Sequence, residues 1–344
     1  MIRLDFIKIA GLAISGFFIG TTSKSSVFGY QDDLPPLLVD EEGNNIRTLA
    51  AWSKERSVIR KKWQDYLGII SPNSNPPNLR VLKEDYPDGM IRQLIEYDNE
   101  PGQTIQAYLI RPEKATDMLP GVIALHSTSD NQMLYIAGIE KGKISPMGLN
   151  LAKQGFVVLC PMCFLWRDKG DSTYEQQVER FHIRHPSSKG MAKMLFDAQR
   201  AIDVLVSLKM TDSNRIGVMG HSLGGKEAFY LGAFDDRVKV IVSNEGGIGI
   251  DFSNWDDSWY LGKEIHNFNH QHHEILALCA PKPFLLIGGD FADGTRSIPY
   301  INAVSPVYNL YGRLQNLKLY NHGRGHDLTP EAEKLTYDWI IEHL

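Results

Sequence analysis

Three cysteines in 344 residues are too few for a disulfide scaffold or a four-cysteine zinc module. No long cluster of Lys and Arg appears, and the formal net charge is −5. A nucleic-acid partner, which needs a basic surface to meet phosphates, is therefore excluded. No apolar stretch reaches the roughly 20 residues that a membrane-spanning helix requires. Low-complexity tracts and internal repeats are also missing. What remains is ordinary for a globular protein, 43% hydrophobic and 22% charged residues, enough to bury a sizeable core.

The first thirty residues differ from the rest. Met1 to Lys8 is a basic lead, and Ile9 to Gly20 is an apolar run of about a dozen residues. Thr21 to Tyr30 is small and polar. That anatomy reads as a signal peptide over residues 1–29, with cleavage near Val27-Phe28-Gly29. The expected location is periplasmic or secreted, with no stable membrane insertion after signal removal. Arg3-Leu4-Asp5-Phe6-Ile7-Lys8 approaches a twin-arginine signal, but Leu4 stands at the second arginine position. No cysteine follows the run, so a lipid anchor of the bacterial lipoprotein type is excluded.

Cys160-Pro161-Met162-Cys163 has a C-x-x-C spacing that invites a redox or zinc reading. It directly continues the apolar Gly155-Phe156-Val157-Val158-Leu159, and no second pair exists to complete a four-ligand site. Buried thiols at a strand end are the plainer expectation. His266, His270, His272 and His273 crowd one segment, but their spacing matches no four-ligand motif. No metal and no cofactor is expected.

Residues 30–78 read as an N-terminal helical extension. Within them Leu49, Trp52, Ile59, Trp63 and Leu67 recur near helical spacing, and Ser71-Pro72-Asn73-Ser74-Asn75-Pro76-Pro77 breaks the chain. Residues 79–344 then form one catalytic domain. Strands are expected at Ile91 to Tyr97, Thr104 to Ile110, Gly121 to Leu125, Phe156 to Leu159, Ile216 to Met219, Val238 to Val242, Phe284 to Ile287 and Leu317 to Tyr320. Helical segments alternate with the later ones. Short apolar runs alternating with helices mean an α/β fold, a mostly parallel sheet covered on both faces.

The most informative stretch is Gly220-His221-Ser222-Leu223-Gly224-Gly225. A strand precedes it and helix formers, Lys226 to Leu231, follow it. G-x-S-x-G between a strand and a helix is a nucleophile elbow: Ser222 Oγ stands clear of the sheet, and the Leu223 N–H faces an oxyanion. A serine hydroxyl needs a base and a group to orient that base. His326, in the loop after the last strand, opens at the same sheet edge as the elbow and is the expected base. His322, nearer the strand, is expected to be structural. The acid should follow an earlier strand, and mid-loop Asp293 has the reach; Asp290, directly off that strand, and Glu245, off the preceding one, compete with it. A second oxyanion donor is expected after Leu125, from Thr128 or Ser127. His126, ending that strand, reads as a packing residue. Trp255, Trp259 and Tyr260 lie in a segment that can build either a stacking platform or a self-packed cap, and Trp166 carries the same ambiguity.

Several stretches together resemble one family. Ala124 to Thr128, Asp197 to Leu205, Arg215 to Gly225, His272 to Ala277 and Ala280 to Phe284 are similar to the α/β-hydrolase superfamily, and within it to secreted enzymes like dienelactone hydrolases and acetyl xylan esterases. The likeness covers about residues 80–344. It implies the α/β-hydrolase fold and a triad of Ser222, Asp293 and His326. Dienelactone hydrolases themselves carry a cysteine nucleophile, and Ser222 departs from them in favour of ordinary esters. The expected activity is cleavage of a carboxylic ester through an acyl-enzyme, on a small-molecule or carbohydrate ester. A prolyl-oligopeptidase-type serine peptidase shares the triad, and a catalytically silent binding module shares the fold. The missing large N-terminal propeller counts against the first, and the complete residue set against the second.

Overall fold

A computed structural model describes residues 34–344 apart from 69, 72–74, 116, 129–131, 142–144 and 168–171. The proposed signal peptide lies outside the described residues. The described residues form one compact unit.

Nine strands make one sheet: β1 (Arg80–Asp85), β2 (Met90–Asp98), β3 (Thr104–Pro112), β4 (Leu119–Leu125), β5 (Val157–Pro161), β6 (Thr211–His221), β7 (Val238–Asn244), β8 (Phe284–Gly288) and β9 (Leu317–Asn321). The helices are α1 (Leu49–Leu67), α2 (Gln132–Ile136), α3 (Met147–Lys153), α4 (Tyr174–Arg184), α5 (Gly190–Ser207), α6 (Leu223–Phe234), α7 (His272–Cys279), α8 (Ile298–Leu310) and α9 (Pro330–His343). The spatial order is β1-β2-β3-β5-β4-β6-β7-β8-β9. β1, β2, β3 and β5 pair antiparallel, whereas β5, β4, β6, β7, β8 and β9 run parallel.

The period-2 alternation of a strand divides the core between the two faces. Ile123 and Leu125 of β4 join the cluster that holds the buried sides of α1, α5, α6, α7 and α8. Val122 and Ala124 turn to the other cluster, with α3 and α9. Four of the five residues of the expected α1 stripe pack inward. Trp52, Ile59, Trp63 and Leu67 are buried, and Leu49 is exposed. Trp63 Nε1 donates to Glu274 Oε2 at 2.7 Å, and Arg60 Nη2 donates to the Ala233 carbonyl at 2.9 Å. The extension is thus fastened to α6 and α7.

All twelve residues of α6 are buried, so this helix has no solvent face and sits at the centre of its layer. The parallel strands end together at one sheet edge, where the loops after β4, β6, β7, β8 and β9 meet. In open α/β sheets, that carboxyl edge is where ligands bind.

Candidate active site

Ser222 joins β6 to α6 with φ 58° and ψ −119°, a strained left-handed conformation that non-glycine residues adopt where function requires it. The turn closes only because its flanks lack side chains. A Cβ on Gly220 would overlap the Gly224 carbonyl, and one on Gly224 would overlap the Leu125 carbonyl. The Ser222 N–H donates to the Asn244 carbonyl at 2.8 Å, which ties the elbow to the end of β7. Leu223 opens α6, and the first N–H groups of a helix have no intrahelical acceptor. Its amide is therefore available to an oxyanion. The loop carrying Ser127 and Thr128 abuts Gly224 through the Leu125 and His126 carbonyls. Thr128 is exposed at the rim, and Ser127 is buried.

The loop after β9 brings His326 to the same edge. Gly325 N donates to the Gly289 carbonyl at 2.6 Å, and His322 N donates to the Gly288 carbonyl at 2.8 Å, so this loop docks on the end of β8. His322 Nδ1 accepts the Arg324 N–H at 3.2 Å and holds the turn, as its position near the strand predicts. Among the described residues, no hydrogen bond yet joins Ser222 Oγ to the His326 ring. Such contacts commonly tighten only with substrate bound.

The carboxylate facing His326 is Glu245. Its Oε2 lies 3.4 Å from His326 Nδ1. Glu245 stands one residue beyond β7 with φ 50°, which turns its side chain under the rim, where it is 1% exposed. Backbone N–H groups from the next loop surround it: Ala292 N donates to Oε2 at 2.7 Å, and Gly289 N donates to Oε1. A buried carboxylate needs such partners.

Asp293, the acid favoured from reach along the chain, is placed elsewhere. It is fully buried and accepts the Gly247 N–H at 2.6 Å, the Ile248 N–H at 2.8 Å and the Ser297 hydroxyl at 2.9 Å. Burial raises its pKa against those donors. Asp293 thus braces the loop that carries Glu245 and makes no hydrogen bond to His326. Asp290 caps its own loop, accepting the Thr295 N–H and the Asn321 side-chain amide, each at 2.8 Å. The geometry therefore joins His326 to Glu245, one of the two competing acids, in place of Asp293.

Two residues near the serine carry more structure than the sequence reading assigned them. Lys226, one turn into α6, is buried, with its ammonium 4.0 Å from the Trp255 ring centroid and 2.7 Å from Ser253 Oγ. Burial pulls its pKa down to about 7. His221, the second residue of the elbow, is bonded through both ring nitrogens, to Ser127 Oγ at 2.8 Å and to the His326 carbonyl at 3.0 Å. A polar residue beside Ser222 was the available signal, but its partners lie in loops far away in the chain.

The remaining histidines and aromatics are mostly structural. His126 Nε2 accepts the Cys163 N–H at 3.0 Å, so Nδ1 carries the proton and donates to the Ser127 carbonyl at 2.8 Å. Burial holds its pKa down to about 4. His266 faces Asp256, His270 faces Glu274, His272 lies between Ile248 O and Tyr230, and His273 meets Pro35 O. These four histidines diverge to separate partners. Trp255 and Tyr260 are buried, Trp255 Nε1 donating to Gly247 O at 2.7 Å, which is the self-packed cap. Only Trp259 stays partly open, edge-on to Tyr174. Trp166 is buried, edge-on to His126. All three cysteines are buried free thiols.

A parallel sheet with helices on both faces and a serine elbow at its carboxyl edge defines the α/β-hydrolase class. Residues 105–280 match the Dienelactone hydrolase family. The chain belongs to that family and is a carboxylic ester hydrolase. It is 25% identical over 305 residues to the "Putative hydrolase YtaP" of Bacillus subtilis, covering 83% of this chain and 100% of that one. Among solved structures it resembles a glucuronoyl esterase from Solibacter usitatus, with a TM-score of 0.70 and 18% identity over 90% of this chain and 97% of that one. It also resembles a CE15 glucuronoyl esterase from Teredinibacter turnerae, with a TM-score of 0.72 and 17% identity over 94% and 92% of the two chains. At such identities the structural likeness speaks for the fold.

Proposed function

We propose that this protein is an exported serine esterase that cleaves carbohydrate esters, acylated or methyl-esterified, through an acyl-enzyme. Ser222 attacks the ester carbonyl while His326 removes its proton. Glu245 orients the imidazole and stabilises the imidazolium that forms. The Leu223 N–H and a backbone donor from the Ser127–Thr128 turn receive the oxyanion, each worth roughly 3 kcal/mol to the transition state. His326 then returns its proton to the leaving alkoxide, and water repeats the sequence to release the acid.

The observation that carries this reading is the Ser222 elbow opening beside a histidine whose Nδ1 faces a buried carboxylate. The carbohydrate part rests on the substrates named for the similar structures, glucuronoyl esters. Export rests on the pattern of residues 1–29; among the described residues no helix is long and apolar enough to cross a membrane. A panel of the methyl ester of glucuronic acid, acetylated xylose, a feruloyl sugar and one peptide amide tests the assignment. Turnover of at least one sugar ester with an inert amide supports it; preferential turnover of the amide would overturn it in favour of a peptidase.

A further inference from the structure

His221 occupies the second position of the elbow, where the turn itself sets no demand for an imidazole. Its two nitrogens are nevertheless both committed, and to different loops. A carbonyl oxygen cannot donate, so Nε2 must carry the proton that bonds His326 O at 3.0 Å. Nδ1 then offers a lone pair, and the Ser127 hydroxyl donates to it at 2.8 Å. The ring is 6% exposed and lies 4.8 Å from the His326 ring, tilted by 40°. One side chain thus links the loop after β4 to the loop after β9, from a residue covalently next to Ser222.

The proposed base depends on such an anchor. The His326 side chain is 36% exposed, and its contact to Glu245 is a long one at 3.4 Å. Its other ring neighbour outside the elbow is the exposed Phe291, at 4.9 Å between centroids, whereas its main chain is held by the Gly325–Gly289 bond on one side and by His221 on the other. Resting on the serine-esterase reading, we propose that His221 is a positioning residue, which sets the main chain of His326 against Ser222 and the oxyanion loop and so aims the imidazole. Burial, and then the neighbouring His326 charge, hold the pKa of His221 down to about 4 against the opposing pulls of its hydrogen bond to the His326 carbonyl, of Glu245 and of Asp327. The ring therefore stays neutral and keeps its tautomer while His326 exchanges protons.

The test uses the full chain, with kcat and KM for 4-nitrophenyl acetate and a thermal midpoint for each variant. His221→Phe preserves ring volume and removes both hydrogen bonds. It is expected to lower kcat about 100-fold, the scale of a small misplacement of a reacting group, with KM little changed. His221→Gln can place an amide nitrogen near the former Nε2 and is expected to recover most of that loss. His221→Asn reaches only Ser127 and is expected to fall below Gln. Wild-type kcat in folded His221→Phe overturns the proposal. So does equal kcat in the Gln and Asn variants, a comparison that stands even where the Phe variant does not fold. Ser222→Ala runs beside them. An inactive Ser222→Ala with a fully active His221→Phe would remove the positioning role and leave the nucleophile assignment intact, whereas an active Ser222→Ala would remove that assignment itself.

Discussion

Glu245 and Asp293 sit in adjacent loops at one sheet edge, both buried, both ringed by backbone N–H groups. Their partners separate them. Asp293 spends its oxygens on Gly247, Ile248 and Ser297, all of them scaffold. Glu245 takes its backbone donors from the loop after β8 and keeps Oε2 within 3.4 Å of His326. One carboxylate shapes the loop, and the other uses that shape to meet His326, the proposed base. Burial and hydrogen-bond number do not identify a catalytic acid; what decides is whether an oxygen still faces a group that changes charge.

The comparison can be calibrated first against the proposed nucleophile. Ser222→Ala is expected to lower kcat by about 10⁵- to 10⁶-fold without changing the thermal midpoint, which sets the floor for both carboxylates. Glu245→Gln is expected to lower kcat by about 10³- to 10⁴-fold, the scale set by removing the orienting acid of a triad. Its amide oxygen can accept from only one of the Gly289 and Ala292 N–H groups, and its NH2 faces the other as a donor against a donor, so some stability is lost with it.

Acid comes next. His126 and His221 are held down to about 4 and His272 to about 3, each chiefly by burial, against about 6.5 in the unfolded chain. Below pH 6.5 the unfolded state binds protons that the fold refuses, so stability falls as pH drops toward 4. Each group contributes on the order of 3 kcal/mol at the lower end. Thermal midpoints measured from pH 7.5 to 4.5 should decline steeply, and a flat profile would contradict the burial of these rings. Kinetic comparison of the two carboxylates therefore belongs above pH 6.5.

The smallest expected change is the most discriminating. Asp293→Asn leaves buried donors poorly matched and should lower stability by about 1–3 kcal/mol, while kcat of the folded enzyme stays within about tenfold. If Asp293→Asn instead matched Glu245→Gln in kcat at a temperature where both remain folded, the two roles would have to be exchanged.

Much of this was legible in the sequence. Val122 to Leu125, Val157 to Leu159 and Ile216 to Met219 are apolar because parallel strands are covered on both faces, and each lies in a strand. The elbow was legible because its strain demands glycine at fixed positions. β1 was not: Arg80–Asp85 is an exposed edge strand with no alternation to betray it. The carboxylate that faces His326 was ambiguous because chain reach favours a mid-loop aspartate, whereas the facts that place Glu245 there are non-local. Glu245 turns inward at φ 50°, and Asp293 is claimed by amides some 45 residues earlier in the chain. Aromatics in Asp251 to Leu261 suited either a platform or a cap, and only packing could reveal that Trp255 and Tyr260 point inward.

The helix behind Ser222 has a practical consequence for anyone wishing to retune this enzyme. With every residue of α6 enclosed by neighbours, a change of side-chain size along it meets either a void or a clash, and the serine would inherit the displacement. Diversity is better invested in the rim segments, where Thr128, Phe291 and Trp259 already reach solvent. There, new shapes can be tried against new esters while the mounting of the nucleophile stays as it is.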